Sequence, residues 1–509
     1  MKVLSASQMR EVDRRTIEMG IPGLILMENA GQRVVDLLVR KFDKLAAHRI
    51  VVLCGKGNNG GDGMVVARQL FTRFQPLSLQ VVLLAAPEDL KGDAAQNYRM
   101  LQILGCPVAR EIPAEAQLAS IVVDALLGTG ISGPATGAML DAIREINRGF
   151  PLATVVAVDI PSGMPSDSGE PLGEHARADY TVTFTAPKPA HTLAPNCDAI
   201  GQLHVVAIGS PPELYEADAA IWLSLVQPEM FARMLAPRPR DGHKGTFGHV
   251  LAIAGSRGKT GAAAMCGMAA LRAGAGLVTV ASEESAIPVI AGHAAELMTV
   301  PLTNNRLRAD IDEIAKNKDV IAIGPGLGGD PAVVALVRHA FAELPQPMVV
   351  DADALNALAG TAWAGAGKLR VLTPHPGEMA RLSGKSTAEV SADRLAAART
   401  LATERQVTVV LKGERTLIAF ADGRVWINPT GTPAMGTGGT GDILTGLIAG
   451  LLAQFPKHPD QAIAAAVYLH GLSGELGAAV LTEKCLTATD LLRYLPAALE
   501  ECARLPHRL

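Results

Sequence analysis

Ile50-Val51-Val52-Leu53-Cys54-Gly55-Lys56-Gly57-Asn58-Asn59-Gly60-Gly61-Asp62-Gly63 is an apolar run that breaks into a glycine-rich turn. The β-branched part reads as a buried strand, and residues 64–74 after the turn read as a helix. Strand, glycine turn and helix in succession open a βαβ unit, whose helix N-terminus can hold a phosphate. The GxGxxG spacing at Gly55, Gly57 and Gly60 is a weak sign alone, because glycines serve tight turns generally. Asp62 sets the stretch apart. A carboxylate near the positive end of a helix competes with a ligand phosphate, so an ordinary hydride-transfer Rossmann turn has little use for it.

Working outward, strand candidates recur at 79–85, 121–124, 154–159 and 180–185 with helical stretches between them. That alternation predicts an α/β fold with a mainly parallel sheet and helices on both faces, a Rossmann-like three-layer domain. A second series at 249–254, 277–281, 320–323, 348–351, 370–372 and 407–411 follows the segment Ala236-Pro237-Arg238-Pro239-Arg240-Asp241-Gly242. Its prolines and charges mark a linker or loop, so the domain boundary is expected between about residues 210 and 241.

The 509 residues exceed what one hydrophobic core ordinarily organises, and 49 % apolar against 19 % charged residues exclude a disordered chain. A net charge of −4 without a basic stripe argues against nucleic-acid binding. Six scattered cysteines without a CxxC pair suggest neither zinc nor a disulfide framework, which fits a reducing compartment. No apolar signal-like stretch opens the chain, and the apolar run 443–455 ends at Pro456, too short to span a bilayer. The expected location is the cytoplasm, with no membrane partner.

Two more strand ends in the first half are acidic: Asp124-Ala125-Leu126-Leu127-Gly128-Thr129-Gly130-Ile131-Ser132-Gly133-Pro134 and Asp159-Ile160-Pro161-Ser162-Gly163. Acids at the carboxyl ends of parallel strands converge on the crevice where open α/β sheets bind ligands. Together with NNGGDG and the opening stretch from Asp13 to Gly31, which contains Leu26-Met27-Glu28-Asn29-Ala30-Gly31, these segments resemble the NAD(P)H-hydrate epimerase family over roughly residues 1–215. The resemblance implies that Asn58, Asn59, Gly60, Gly61, Asp62, Gly128, Thr129, Gly130, Ile131, Ser132, Gly133, Pro134 and Asp159 hold the hydrated nicotinamide nucleotide. It also implies a potassium ion on Asn59, Asp124 and Ser162, a set of neutral oxygens and one carboxylate that suits a hard ion of low charge. Asp159 takes the acid/base role, because remaking a C–O bond at a hemiaminal-like carbon needs a proton shuttle near the oxygen. Lys188, in Ala186-Pro187-Lys188-Pro189, reads as an exposed loop lysine within reach of phosphate at most.

In the second half, Gly258-Lys259-Thr260 fails as a P-loop because Ile253 stands where the first glycine belongs. A better anion hole is Gly431-Thr432-Pro433-Ala434-Met435-Gly436-Thr437-Gly438-Gly439-Thr440-Gly441-Asp442, which leads into an apolar helix. Asp442 is expected to stay ionised beside those donors and to accept a hydroxyl proton. Six further segments occur with it: His243-Lys244-Gly245, residues 270–278, Gly324-Pro325-Gly326-Leu327-Gly328, Asp351-Ala352-Asp353-Ala354-Leu355-Asn356, Thr373-Pro374-His375-Pro376-Gly377-Glu378 and Leu411-Lys412-Gly413. Their order resembles the ADP-dependent NAD(P)H-hydrate dehydratase family, of ribokinase-like fold, over about residues 222–500 of a domain expected at 222–509. The resemblance implies that Lys412, Gly413, Glu414, Arg415, Thr416 and Gly441 contact the adenine nucleotide. Ala262, Gly326, His375 and Asp442 would face the hydrate, with ADP as co-substrate and Mg2+ accompanying it.

The expected protein therefore pairs an epimerase with a dehydratase and is a homo-oligomer. The competing reading is a ribokinase-like small-molecule kinase fused to a non-catalytic nucleotide-binding domain. An NAD dehydrogenase is the weakest option.

Overall fold

A computed structural model describes residues 1–303 and 307–504. The chain divides into two compact units, Met1–Ile221 and Trp222–Leu509.

The first unit holds seven parallel strands: β1 Arg49–Cys54, β2 Ser78–Leu83, β3 Val108–Ala109, β4 Ile121–Ala125, β5 Thr154–Val158, β6 Tyr180–Phe184 and β7 Gln202–Val206. Alternate residues of these strands enter two separate cores. Ile50, Val52 and Cys54 pack with helices Gly23–Lys41 and Asn58–Gln69, whereas Val51 and Leu53 pack with helix Gly137–Arg148. This is the three-layer arrangement that strands buried on both faces require. The strand order β3-β2-β1-β4-β5-β6-β7 reverses between β1 and β4, so the carboxyl ends of those two strands flank a crevice.

The helix after β1 begins at Asn58, six residues earlier than the predicted 64–74, and ends in a π-helical turn, Leu70–Phe74. NNGGDG is thus the first turn and a half of the helix, and its glycines serve close packing. A Cβ on Gly60 would stand 1.9 Å from the Gly55 carbonyl oxygen, and one on Gly55 would stand 1.9 Å from that of Leu126. Gly55→Ala is therefore expected to force β1 and β4 apart, costing about 1–3 kcal/mol as overpacking does. Thermal unfolding followed by circular dichroism would show the lowered midpoint.

The second unit carries a ten-stranded sheet: β8 Leu223–Leu225, β9 His249–Ile253, β10 Leu277–Glu283, β11 Met298–Leu302, β12 Val320–Ile323, β13 Met348–Val350, β14 Arg370–Leu372, β15 Thr408–Leu411, β16 Leu417–Ala419 and β17 Val425–Ile427. Only β16 runs antiparallel to its neighbours. The order β11-β10-β9-β12-β13-β14-β15-β16-β17-β8 again reverses direction, here between β9 and β12. β8 precedes the proline-rich segment 236–242, which is therefore a loop inside this unit, and the boundary falls at Ile221. Helix Thr440–Gln454 packs against helices Thr260–Arg272 and Pro459–Leu481 over the sheet core. Helix Pro459–Leu481 is long and apolar enough to cross a bilayer, yet 67 % of its apolar window is buried. None of the six cysteines forms a disulfide.

Candidate functional sites

In the first unit a cleft of about 750 Å³ opens over the carboxyl ends of β1 and β4. Asn58, Asn59, Asp62, Gly128, Thr129, Gly130, Ile131 and Asp159 line it. Gly60, Gly61, Ser132, Gly133 and Pro134 are not among its lining residues: the two glycines face protein, and Pro134 lies against Gly173. Asp159 follows β5 with φ +63°, a strained conformation of the kind that functional sites retain.

Asp159 does not stand alone. Its Oδ1 accepts from the Lys188 ammonium at 2.6 Å and from the Thr183 hydroxyl at 2.9 Å, and the Lys188 side chain is 1 % exposed. The expected exposed lysine is therefore corrected to a buried partner of Asp159. Burial works to raise the Asp159 carboxyl, but the Lys188 charge and hydrogen bond outweigh it and hold the group below the usual aspartate range. Two acids beside this pair move the other way. Burial, with the charges of Asp159 and Asp13 adding to it, lifts Asp62 well above the usual range, and burial pushes Asp13 up to about 6. His191, whose Nδ1 accepts the Lys188 backbone N–H, is pushed by burial and by Lys188 to about 3 and stays neutral. Asp13 lies on helix Ala6–Glu18 and opens the stretch Asp13 to Gly31 that carries part of the family resemblance, where the sequence assigned it no role.

Asp124 is fully buried. Its Oδ2 accepts the Ser162 backbone N–H at 2.8 Å, and its Oδ1 accepts the Ser162 hydroxyl and the Leu126 N–H. Asn59 donates its amide to the Leu127 carbonyl at 3.1 Å, while its buried Oδ1 has no hydrogen-bond partner among the described residues. An orphaned amide oxygen near a buried carboxylate that no basic side chain offsets among the described residues is a donor set that fits a monovalent cation.

In the second unit Asp442 occupies the first turn of helix Thr440–Gln454, behind Gly439 at φ +97°. The N–H groups of that turn have no intrahelical acceptor and face outward with the positive helix end. Asp351, directly after β13 and 1 % exposed, accepts from the Lys412 ammonium at 2.8 Å and from the Thr445 hydroxyl at 2.9 Å. A Cβ on Gly441 would stand 3.2 Å from that ammonium nitrogen, so Gly441, Asp442, Lys412 and Asp351 form one cluster. Glu378 joins it 3.8 Å from Lys412 and also accepts the His375 backbone N–H, which places His375 at its edge. Burial opposes the Lys412 charge, but Asp351, Glu378 and Asp442 prevail and raise it.

The same setting changes Asp442. Burial first and Asp351 second push its carboxyl up to about 6, above the ordinary aspartate range and still below neutral pH. Ala262 and Gly326 are in contact beside Lys259, whose ammonium lies 3.2 Å from Asp353; that carboxylate also accepts the Gly328 N–H. Arg394 holds the loop of Gly413 and Glu414 through the carbonyls of Leu411, Lys412 and Glu414. Asp351 and Lys259 had no assigned role in the sequence reading. The rule that drew attention to Asp124 and Asp159, an acid at the carboxyl end of a parallel strand, finds Asp351 as well.

Two α/β units, each with a charged cluster at the carboxyl edge of its sheet, define a two-site enzyme whose second unit is ribokinase-like. That unit resembles the solved ribokinase-like superfamily protein of Enterococcus faecalis, 31 % identical over 55 % of this chain and 97 % of that one, with a TM-score of 0.50. It equally resembles the ADP/ATP-dependent NAD(P)H-hydrate dehydratase of Bacillus subtilis co-crystallised with ATP and Mg2+, 34 % identical over 55 % of this chain and 98 % of that one, TM-score 0.50. The NAD(P)H-hydrate dehydratase family model matches residues 250–497, and that of the YjeF-related protein N-terminus matches 23–190. The bifunctional NAD(P)H-hydrate repair enzyme Nnr of Moorella thermoacetica is 43 % identical over 98 % of this chain and 97 % of its own. The chain belongs to the bifunctional NAD(P)H-hydrate repair enzyme family.

Proposed function

We propose that Trp222–Leu509 dehydrates the S hydrate of NAD(P)H at the expense of ADP, giving AMP and phosphate, while Met1–Ile221 interconverts the R and S hydrates. The observation that carries the dehydratase half is Asp442 beside unpaired helix N–H donors, one residue from the glycine that the Lys412–Asp351 pair touches. Hydroxide is a poor leaving group. Asp442 takes the proton of the substrate hydroxyl, whose oxygen attacks the terminal phosphorus of ADP as the bond to AMP breaks. The N–H groups hold the charge that moves. Phosphate then leaves from that carbon with the C–O electrons as the ring-nitrogen lone pair forms a C=N bond, and loss of a proton from the neighbouring ring carbon to solvent moves the double bond to carbon and restores the dihydronicotinamide. Lys412 to Thr416 and Gly441 face the nucleotide, and Ala262, Gly326 and His375 face the hydrate. Mg2+ bound with the nucleotide would neutralise phosphate charge.

In the first unit Asp159, kept ionised by Lys188, moves the proton at the hydroxyl-bearing carbon. Asn59, Asp124 and Ser162 would hold K+, which would offset the buried Asp124 charge and fix the loop from Leu126 to Gly130. Buried cysteines outside any disulfide support a reducing, cytoplasmic setting. Self-association into a homo-oligomer completes the reading, and light scattering of the full chain tests it.

Incubating NADH hydrate with the full chain, ADP and Mg2+ should return the near-ultraviolet absorbance of NADH together with inorganic phosphate. A stable phosphorylated hydrate would replace this reading with that of a kinase. Asp351→Asn makes a finer prediction: without the neighbouring charge, Asp442 falls back toward the ordinary aspartate range, so the acid limb of the dehydration rate moves to lower pH. Lys412 loses its partner at the same time, and KM for ADP rises. A pH profile with an ADP titration reads both.

A further inference from the structure

Helix Ala6–Glu18 closes one side of the cleft in Met1–Ile221 and is fastened beside the segment that carries Lys188. Leu4 donates its N–H to the Pro187 carbonyl at 3.0 Å, and Ala6 donates to Asp167 Oδ1 at 2.6 Å. Ser5 and Gln8 cap the helix reciprocally, so its register is fixed. Met9, Arg10, Asp13 and Ile17 meet the cleft at the spacing of one helical face.

Asp13 is the one carboxyl on that face. Its Oδ1 is buried and has no hydrogen-bond partner among the described residues, a costly state for an ionised group and a tolerable one for a carboxylic acid facing a ligand oxygen. The titratable groups around it are Asp62 from the facing helix, Asp159 at the end of β5, Lys188, neutral His191, and Arg10 one turn earlier. Burial drives Asp13 to about 6, Lys188 opposes and Asp159 adds to the rise, while Lys188 holds Asp159 down. Of the cleft's carboxyls, Asp13 and Asp159 come from different elements and are displaced in opposite directions, so they divide into an acid and a base.

We propose that Asp13 is a second catalytic residue of the epimerase cleft, exchanging a proton with the substrate oxygen on the face opposite Asp159; this rests on the epimerase reading of the cleft. Inverting the hydroxyl-bearing carbon needs proton transfer on both faces. Asp13 gives its proton to the departing hydroxyl, which leaves as water while the ring-nitrogen lone pair forms the C=N bond. Water then adds to the opposite face of that planar carbon, the C=N electrons return to nitrogen, and Asp159 takes the released proton. In the reverse direction Asp159 is the donor and Asp13 the acceptor, so a single proton serves the pair. The Lys188 ammonium, 2.6 Å from Asp159, favours the state with that proton on Asp13.

The test follows R-to-S conversion by full-length Asp13→Asn and Asp13→Glu across pH, in water enriched in oxygen-18, with R-hydrate binding measured by calorimetry to report an intact cleft. Asp13→Asn is expected to bind the hydrate but to epimerise it about 100-fold more slowly, the usual effect of losing one acid–base group. It should also lose the decline expected of the unaltered chain as pH rises through about 6. Asp13→Glu should restore part of the rate, and each turnover of the unaltered chain should introduce one labelled oxygen. An unaltered rate, or a slowed rate with the original pH profile, overturns the role of Asp13, and absence of label overturns the two-face step. Asp159→Asn at the unaltered rate would instead overturn the epimerase reading beneath it.

Discussion

Asp442→Asn is expected to abolish recovery of NADH from both hydrate epimers while making the folded chain more stable at neutral pH. The carboxamide cannot take the hydroxyl proton, so the loss should reach at least the 100- to 10,000-fold typical of an essential acid–base group. The stability gain follows from the sign of the shift. Asp442 titrates near 6 in the folded chain, above its ordinary 3.8, so the folded state binds a proton more tightly than the unfolded one. The stabilising effect of that proton is present below the ordinary value and is lost as pH rises through about 6. At pH 7 and above, the ionised carboxylate costs on the order of 1–3 kcal/mol, which asparagine avoids. Thermal unfolding at pH 7.5 and at pH 3.5 separates the cases: the variant should melt higher at 7.5 and close to the unaltered chain at 3.5. A variant that is inactive and destabilised at pH 7.5 would show that Asp442 supports the helix instead of working against it. An acid limb of activity centred near pH 6 in the unaltered chain belongs to the same argument.

Why Asp442 titrates there also shows where a sequence stops being readable. Its position at a glycine-rich helix start is local, and the anion hole is legible from Gly436 to Asp442. Its environment is not, because Asp351 lies 91 residues earlier and reaches it only through the stacking of β13 beside the helix. Lys188 follows the same rule. Between two prolines it reads as exposed, yet it is buried by a partner from the end of β5.

The strands divide in a similar way. β4 is buried throughout and β1 and β9 are buried apart from their first residue, so these apolar runs can be read directly. β3, β8, β16 and β17 have two or three residues each, too few to show a period, and β11 lies at a sheet edge with a proline in it. The start of helix Asn58–Gln69 was hidden by its own glycines. Gly60, Gly61 and Gly63 look like a flexible turn but exist because Gly55, Met27 and Ala125 leave no room for a Cβ.

The Asp159–Lys188 pair yields the second large effect, because in it activity and stability separate. Either partner alone is a buried charge, and removing one leaves the other uncompensated at a cost of about 3–5 kcal/mol. Asp159→Asn and Lys188→Met are each expected to slow R-to-S conversion to near its spontaneous rate and to lower the melting temperature. The double variant removes both charges together, so its destabilisation should be much less than the sum of the two single ones, giving a coupling of a few kcal/mol in a double-mutant cycle. Epimerisation should not return with it, since no base remains. Neither change touches Asp442, so dehydration of the pure S hydrate should proceed at the unaltered rate in all three chains. The pH dependence is opposite in sign to that of Asp442. Asp159 is held below its usual range, so the stability it contributes is present above the ordinary aspartate value and is lost as acid protonates it in the folded chain. A double variant that epimerised normally would leave Lys188 and Asp159 as a purely structural pair and move the chemistry of this cleft elsewhere.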